Sequence, residues 1–143
     1  MGSYPSGLEF LRGIAEGMVP PPSMLQTLPM QLLRVESGLV EFEARPDRQH
    51  LNPRGMVHGG FAATALDSCT GCAVQTQLAA GSSCSTIELN VKMMRPIQAG
   101  MVLRAIGTTL NLSRRLGVAE GRLVDEAGKL YAHATATFMI QRD

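Results

Sequence analysis

From Gly59 to about Leu78 the chain contains no proline and is dominated by Ala, Leu, Thr, Cys and Val. Phe61, Ala65, Cys69 and Ala73 recur at every fourth position, which makes them one face of a helix. A helix of that length spans about 30 Å at ~1.5 Å per residue. Its remaining faces are also almost entirely apolar, so it cannot lie on a surface with one side in water. The rest of the chain has to wrap it. One carboxylate, Asp67, sits inside this segment. A charge there costs several kcal/mol unless it is paired, hydrated or lines a cavity.

The second half of the chain supplies the wrapping. In Cys84 to Met94, Ile87, Leu89, Val91 and Met93 alternate with Thr86, Glu88, Asn90 and Lys92, the period of a strand. Met101 to Leu112 is a further β-rich run. Leu116 to Val124 and Leu130 to Ile140 flank Asp125-Glu126-Ala127-Gly128, which predicts a hairpin. Ala132, Ala134 and Ala136 fall on one face of the last strand, where small side chains let a helix approach closely. Upstream, Leu8 to Met18 reads as a short amphipathic helix, and Pro20, Pro21 and Pro22 end it. Leu32 to Arg45 reads as a strand or a hairpin bent at Gly38, with Val40, Phe42 and Ala44 inward. Asp47 to Gly55 is a polar loop. The sum is an α+β layer around one long buried helix. The chain of 143 residues is expected to be a single domain, with residues 1–30 as a helical and proline-rich lead-in.

Charge and composition exclude several classes. A net charge of +1 gives no general attraction for polyanions, so no nucleic-acid partner is expected. No stretch reaches the ~18 unbroken apolar residues of a membrane span. The first residues hold no basic stretch followed by an apolar run, so the expectation is a cytoplasmic protein, not a secreted one. Gly2 with Ser6 meets a loose myristoylation pattern of the kind short motifs often match by chance. Cys69, Cys72 and Cys84 read as small core residues of a reducing compartment. His50, His58 and His133 are scattered and form no metal-ligand set.

The start of the long helix is the chemically informative place. Gly59 and Gly60 contribute N–H groups that lack partners within the helix, and no side chain keeps a ligand oxygen away from them. The positive end of the helix dipole favours negative charge developing there, as in an oxyanion hole. The alternative is that the pair only permits a tight turn. Asp67 then reads either as a reactive carboxylate or as an acid held by a backbone group or by water.

Together these residues carry a family resemblance. Asn52-Pro53-x-Gly55-x-x-His58-Gly59-Gly60 followed by Asp67 resembles the signature of hotdog-fold acyl-CoA thioesterases, and within them the phenylacetate-degradation type of the 4-hydroxybenzoyl-CoA thioesterase superfamily. The runs Thr86–Val91, Arg95-Pro96, Ser113-Arg114-Arg115 and Ala134–Phe138 extend the likeness from about Gly38 to Ile140. The resemblance implies a curved antiparallel sheet around the helix, and two subunits pairing their sheets into a homodimer or a dimer of dimers. It implies Asp67 as nucleophile or general base, Gly59 as oxyanion donor, and Asn52 and His58 as positioning groups. Thr86 would assist the acid. Gly60 and Phe61 would lie at the substrate, in a pocket with Ala62, Ala65 and Met93. Arg114 and Arg115 would hold the phosphates of coenzyme A. No cofactor is implied, since coenzyme A is part of the substrate. Some relatives carry a polar side chain one turn after the acid; here that place is Gly71.

Thioester hydrolysis of an aromatic or short- to medium-chain acyl-CoA is therefore the expected activity. Two other readings share the fold: a non-catalytic acyl-CoA-binding module, and an enoyl-thioester hydratase or dehydratase. Intact Asp67, Asn52 and His58 speak against the first. The second pairs an acid with a histidine differently, whereas His58 here precedes the glycines. Gly59 and Asp67 lie about 12 Å apart along one helix and roughly 80° apart around it. One reacting carbonyl needs both within ~3 Å, so two chains are expected to build each site.

Overall fold

The computed structural model describes residues 6–142. In chain order the elements are α1 (Gly7–Ala15), α2 (Met24–Thr27), β1 (Met30–Glu36), β2 (Leu39–Ala44), α3 (Gly59–Gln75), β3 (Ser83–Met93), β4 (Leu103–Leu112), β5 (Leu116–Val124) and β6 (Leu130–Gln141). The six strands form one antiparallel sheet in the order β1-β2-β4-β5-β6-β3. Helix α3 lies along one face of the sheet and buries Phe61, Ala62, Ala65, Leu66, Cys69, Thr70, Ala73 and Val74. The sheet answers with Phe42, Leu103, Ala105, Ala119, Leu123, Ala134 and Phe138, all buried. The α+β layer expected from the sequence is thus the architecture found.

The closeness of helix and sheet depends on two glycines as well as on the alanines of β6. Gly107 and Gly121 face each other across β4 and β5. A Cβ built on Gly107 would lie 2.0 Å from the Cys69 carbonyl oxygen, and one on Gly121 would meet Leu66 and Thr70 at 3.0 Å. The helix backbone therefore rests where side chains would stand. Gly107→Ala is expected to cost about 3 kcal/mol or more, because backbone and not a flexible side chain must move. A thermal melt should fall by roughly 10 °C; an unchanged melt would show that the layer can separate without loss.

Several boundaries differ from the sequence reading. Helix α1 ends at Ala15, because Gly17 takes a left-handed φ of 79° and the N–H groups of Met18 and Val19 turn back to the Gly13 carbonyl. Met18, read as part of the apolar stripe, lies beyond that cap and is 76% exposed. Helix α3 ends at Gln75 instead of near Leu78: the Thr76 hydroxyl donates to the Ala73 carbonyl (2.6 Å) and accepts from Gly38 N–H (2.8 Å). The segment 32–45 resolves into a hairpin turning at Gly38, where φ is 77°. Helix α2 and a 3-10 turn at Arg48–His50 were not anticipated. Ser6, from the myristoylation pattern, caps α1 by accepting from Glu9 N–H at 3.2 Å, while Gly2 lies outside the described residues. No helix among them is long and apolar enough to cross a membrane.

One end of the sheet is unfinished. Strand β3 pairs with β6 alone, which leaves its other edge without a partner strand among the described residues. Ile87 and Met93 on it are 53% and 55% exposed. Leu89 and Val91 share the helix side of the sheet, yet they are only partly covered.

Candidate active site

The site is assembled at the start of α3. His58 is extended (φ −59°, ψ 138°) and caps the helix, its Nδ1 accepting from Gly60 N–H at 2.8 Å. Gly60 is thereby committed to the cap. The preceding Gly59 N–H finds no acceptor among the described residues, and it points out of a helix start whose dipole favours anions. Beside it opens a cavity of about 380 Å3 whose wall includes Asn52, Arg54, His58, Gly59, Met93 and Arg95.

Asn52 holds the loop that shapes this wall. Its Oδ1 accepts from the N–H groups of Arg54 (2.9 Å) and Met56 (3.2 Å), and its own N–H donates to the Met56 carbonyl at 2.7 Å. Gly55 closes the turn with a φ of 80°. The Asn52 amide NH2 makes no hydrogen bond among the described residues, so it is the part of this side chain left for a ligand. His50 anchors the same loop from below. Its buried ring accepts from Asp47 N–H (2.9 Å) at Nδ1 and faces the Thr27 carbonyl (3.0 Å) at Nε2, which requires the neutral tautomer with its proton on Nε2. The Phe61 ring packs on it at 5.2 Å between centroids. Phe61 is therefore buried against His50 and is absent from the cavity wall, where Ala62 and Met93 stand.

Asp67 lies two turns further along α3 and is partly exposed. The Thr86 hydroxyl donates to its Oδ1 at 2.8 Å. Strict alternation along β3 would have turned Thr86 to the opposite side of the sheet from Leu89. A β-bulge between Thr86 and Glu88 resets the phase, so Thr86, Leu89, Val91 and Met93 pair with Phe138, Ala136, Ala134 and Ala132 on the helix side. The bulge is what lets a strand residue reach the acid. At Gly71, one turn after Asp67, a Cβ would press on the Phe138 ring at 3.2 Å, so that space is filled from the sheet.

Two thiols share the neighbourhood. Burial pushes the Cys72 thiol up to about 12, with the nearby Cys84 and Asp67 adding to the effect. Burial and then the Asp67 charge also raise Cys84. Both stay protonated near neutral pH and act as small, uncharged wall residues.

Arg114 and Arg115 occupy the turn between β4 and β5, where they line a depression of about 180 Å3 with Ile140 and Arg142. Arg142 Nε donates to the Arg114 carbonyl at 2.9 Å. None of the three guanidinium groups has an ion pair among the described residues. Arg142 escaped the sequence reading, although the register of the final hairpin accounts for it: pairing Leu116 with Met139 continues to residue 141 opposite 114, which sets 142 next to that pair. Arg95 bonds the Leu130 carbonyl at 2.8 Å and lines the Gly59 cavity, while Lys92 pairs with His133 on the outer side. The His133 Nε2 lies 2.8 Å from Glu120 Oε1 on that same outer side, far in the fold from His50 and His58.

Comparison with known proteins identifies the fold and the family. A phenylacetic acid degradation-related protein from Ralstonia eutropha JMP134 superposes with a TM-score of 0.83 and 35% identity, over 91% of this chain and 98% of that one. The phenylacetic acid degradation protein PaaI from Thermus thermophilus, solved as a point mutant, gives 0.76 and 28% over 82% and 98%. The Escherichia coli PaaI protein shares the fold at a TM-score of 0.83 with 19% identity, over 96% and 97%. A Halobacterium salinarum protein described as an esterase is 35% identical over 83 residues, 57% of this chain. The matched part spans about half the length of that curated relative, 54%. Residues 54–132 match the model of the thioesterase superfamily, so the chain, with its long helix against a six-stranded antiparallel sheet, belongs to that superfamily and has its hotdog fold.

Proposed function

We propose that the protein hydrolyses the thioester of an aromatic or short- to medium-chain acyl-CoA, as a homodimer that uses two chains at each site. The observation that carries this reading is a partly exposed carboxylate held by Thr86, on the same helix as an uncommitted N–H at Gly59. The thioester carbonyl oxygen would accept from the Gly59 N–H, which stabilises the charge it gains on attack. Asp67 either takes a proton from water as the water attacks, or attacks the carbonyl carbon itself and is then freed by water. In both cases the C–S bond breaks, coenzyme A leaves as its thiol after protonation, and the free acid remains. The reaction asks for no cofactor beyond the coenzyme A of the substrate. Three free cysteines suit the reducing cytoplasm where we place it.

Two chains are needed because one helix holds Gly59 and Asp67 about 12 Å apart, too far for one carbonyl to meet both. The open edge of β3 offers the means. Its backbone groups and its half-covered Ile87, Leu89, Val91 and Met93 would be completed by the same strand of a second copy related by a two-fold axis. That pairing sets two α3 helices side by side and antiparallel, with Gly59 of one facing Asp67 of the other. A further pairing of dimers extends the same reading.

The three arginines at the β4–β5 turn suit a phosphate-bearing group, which a guanidinium binds with two parallel hydrogen bonds. The test is release of thiol from a panel of phenylacetyl-, benzoyl- and straight-chain acyl-CoAs. Turnover is expected with at least one of them; binding without thiol release would leave a non-catalytic module. Within the same assay, Arg114→Ala, Arg115→Ala or Arg142→Ala should raise KM for acyl-CoA by about tenfold, the scale of one charge-assisted hydrogen bond. The corresponding acyl-pantetheine should be affected much less, and equal effects on both substrates would remove the phosphate role.

A further inference from the structure

Two separate cavities border α3, and they differ in chemistry. The one beside Gly59 is polar at its mouth, with Asn52, Arg54, His58 and Arg95. The second, of about 310 Å3, opens on another side of the helix. Its floor is Ser68 and Cys72 of α3, its depth is Leu32 and Phe42 of the sheet, and its outer wall is Phe10 and Ile14 of α1. Pro20 and Pro22 stand at its rim. No Asp, Glu, Lys, Arg or His lines it.

We propose that this second cavity is the acyl-binding site, and that it selects an uncharged acyl chain of medium length through a wall supplied by α1. The inference rests on the thioesterase reading above and adds the class of acyl group and the residues that choose it. Position argues first. Ser68 follows Asp67 directly on α3, so the cavity floor begins about 100° around the helix from the acid. An acyl chain running from a carbonyl at Asp67 around that side of α3 would enter the cavity.

Chemistry argues second. Apart from Ser68 and Gln75 the wall offers aliphatic, phenyl and thiol surface, and Cys72 stays protonated, so a charged acyl group finds no counter-ion there. Size argues third. An apolar cavity of ~150 Å3 holds benzene, so about 310 Å3 accommodates on the order of ten carbon atoms. The wall is firmly attached: Gly7 N–H donates to the Leu78 carbonyl at 3.0 Å, and a Cβ on Gly7 would lie 1.9 Å from the Gln75 carbonyl oxygen. Helix α1 thus sits directly on the end of α3. It also lies outside the residues 54–132 that carry the family match.

The experiment is a chain-length profile of kcat/KM for butanoyl-, hexanoyl-, octanoyl- and dodecanoyl-CoA. In the unmodified protein kcat/KM should rise by roughly fourfold per methylene from butanoyl to octanoyl, the transfer preference of one buried CH2. Cys72→Leu fills the floor and Ile14→Phe fills the partly exposed wall; each should lower the octanoyl-to-butanoyl ratio by about tenfold or more. Ile14 lies on a surface helix, so its variant remains informative if Cys72→Leu does not fold. A flat profile, or a ratio unchanged by Ile14→Phe in folded protein, overturns the assignment. If no acyl-CoA is hydrolysed, the thioesterase reading fails by itself, and calorimetry decides the cavity. Tighter binding of octanoyl- than butanoyl-CoA, lost in Ile14→Phe, upholds it; equal binding refutes it.

Discussion

Asp67→Asn is expected to lower kcat for acyl-CoA by ~10² or more while the protein keeps its fold, since losing a positioned base or nucleophile has at least that effect. Asparagine has the same shape, and its carbonyl oxygen can still accept from the Thr86 hydroxyl that now lies 2.8 Å from Asp67 Oδ1. What disappears is the negative charge and the ability to take a proton or attack. A thermal melt like that of the unmodified protein, together with the collapse in kcat, would separate chemistry from stability. A rate within a few-fold of the original would mean that water is activated elsewhere.

Gly59→Pro should lower kcat by ~10²–10³, the usual effect of removing one oxyanion donor. Proline deletes the N–H without asking the helix to change. Gly59 is the first helical residue, where proline is well tolerated, and His58 already has the extended ψ of 138° that a following proline requires. A Cβ at this position would meet the end of the flexible Met93 side chain, whose sulfur lies 2.7 Å away. Gly59→Ala retains the N–H and meets the same sulfur, so it serves as the control for crowding. If the alanine and proline variants lose activity equally, the N–H is not the donor.

Much of the fold was legible because its central constraint is chemical. A helix apolar on every face needs a sheet, and the alternating runs after residue 83 supply the four strands that follow it. The hairpin at 125–128 and the inward face of β6 follow from period two alone. What the pattern missed depends on pairing between distant residues. The bulge that turns Thr86 toward Asp67 leaves no mark in the alternation of hydrophobic residues, because inserting one residue looks the same as continuing the strand. The seat for α3 at Gly107 and Gly121 becomes visible only when β4 and β5 are in register. Phe61 looked like a pocket residue from its place near Gly59, but the ring of His50, brought under α3 by the loop, takes it into the core. The commitment of Gly60 N–H to His58 is likewise a matter of side-chain geometry that spacing does not record.

The central claim is that an oxyanion donor from one chain and a carboxylate from another make one site. Mixed dimers of Asp67→Asn and Gly59→Pro chains test it most directly. Each homodimer lacks one essential group in both of its sites. In a mixed dimer, Gly59 of the Asp67→Asn chain would face Asp67 of the Gly59→Pro chain, restoring one complete site and leaving the other doubly impaired. Random exchange of subunits would make about half of the dimers mixed, so activity should recover to about a quarter of the unmodified value. Purified mixed dimers carrying distinct tags should show about half. Mixed dimers as inactive as either parent, or full activity in a protein that sediments as a monomer, would contradict the account.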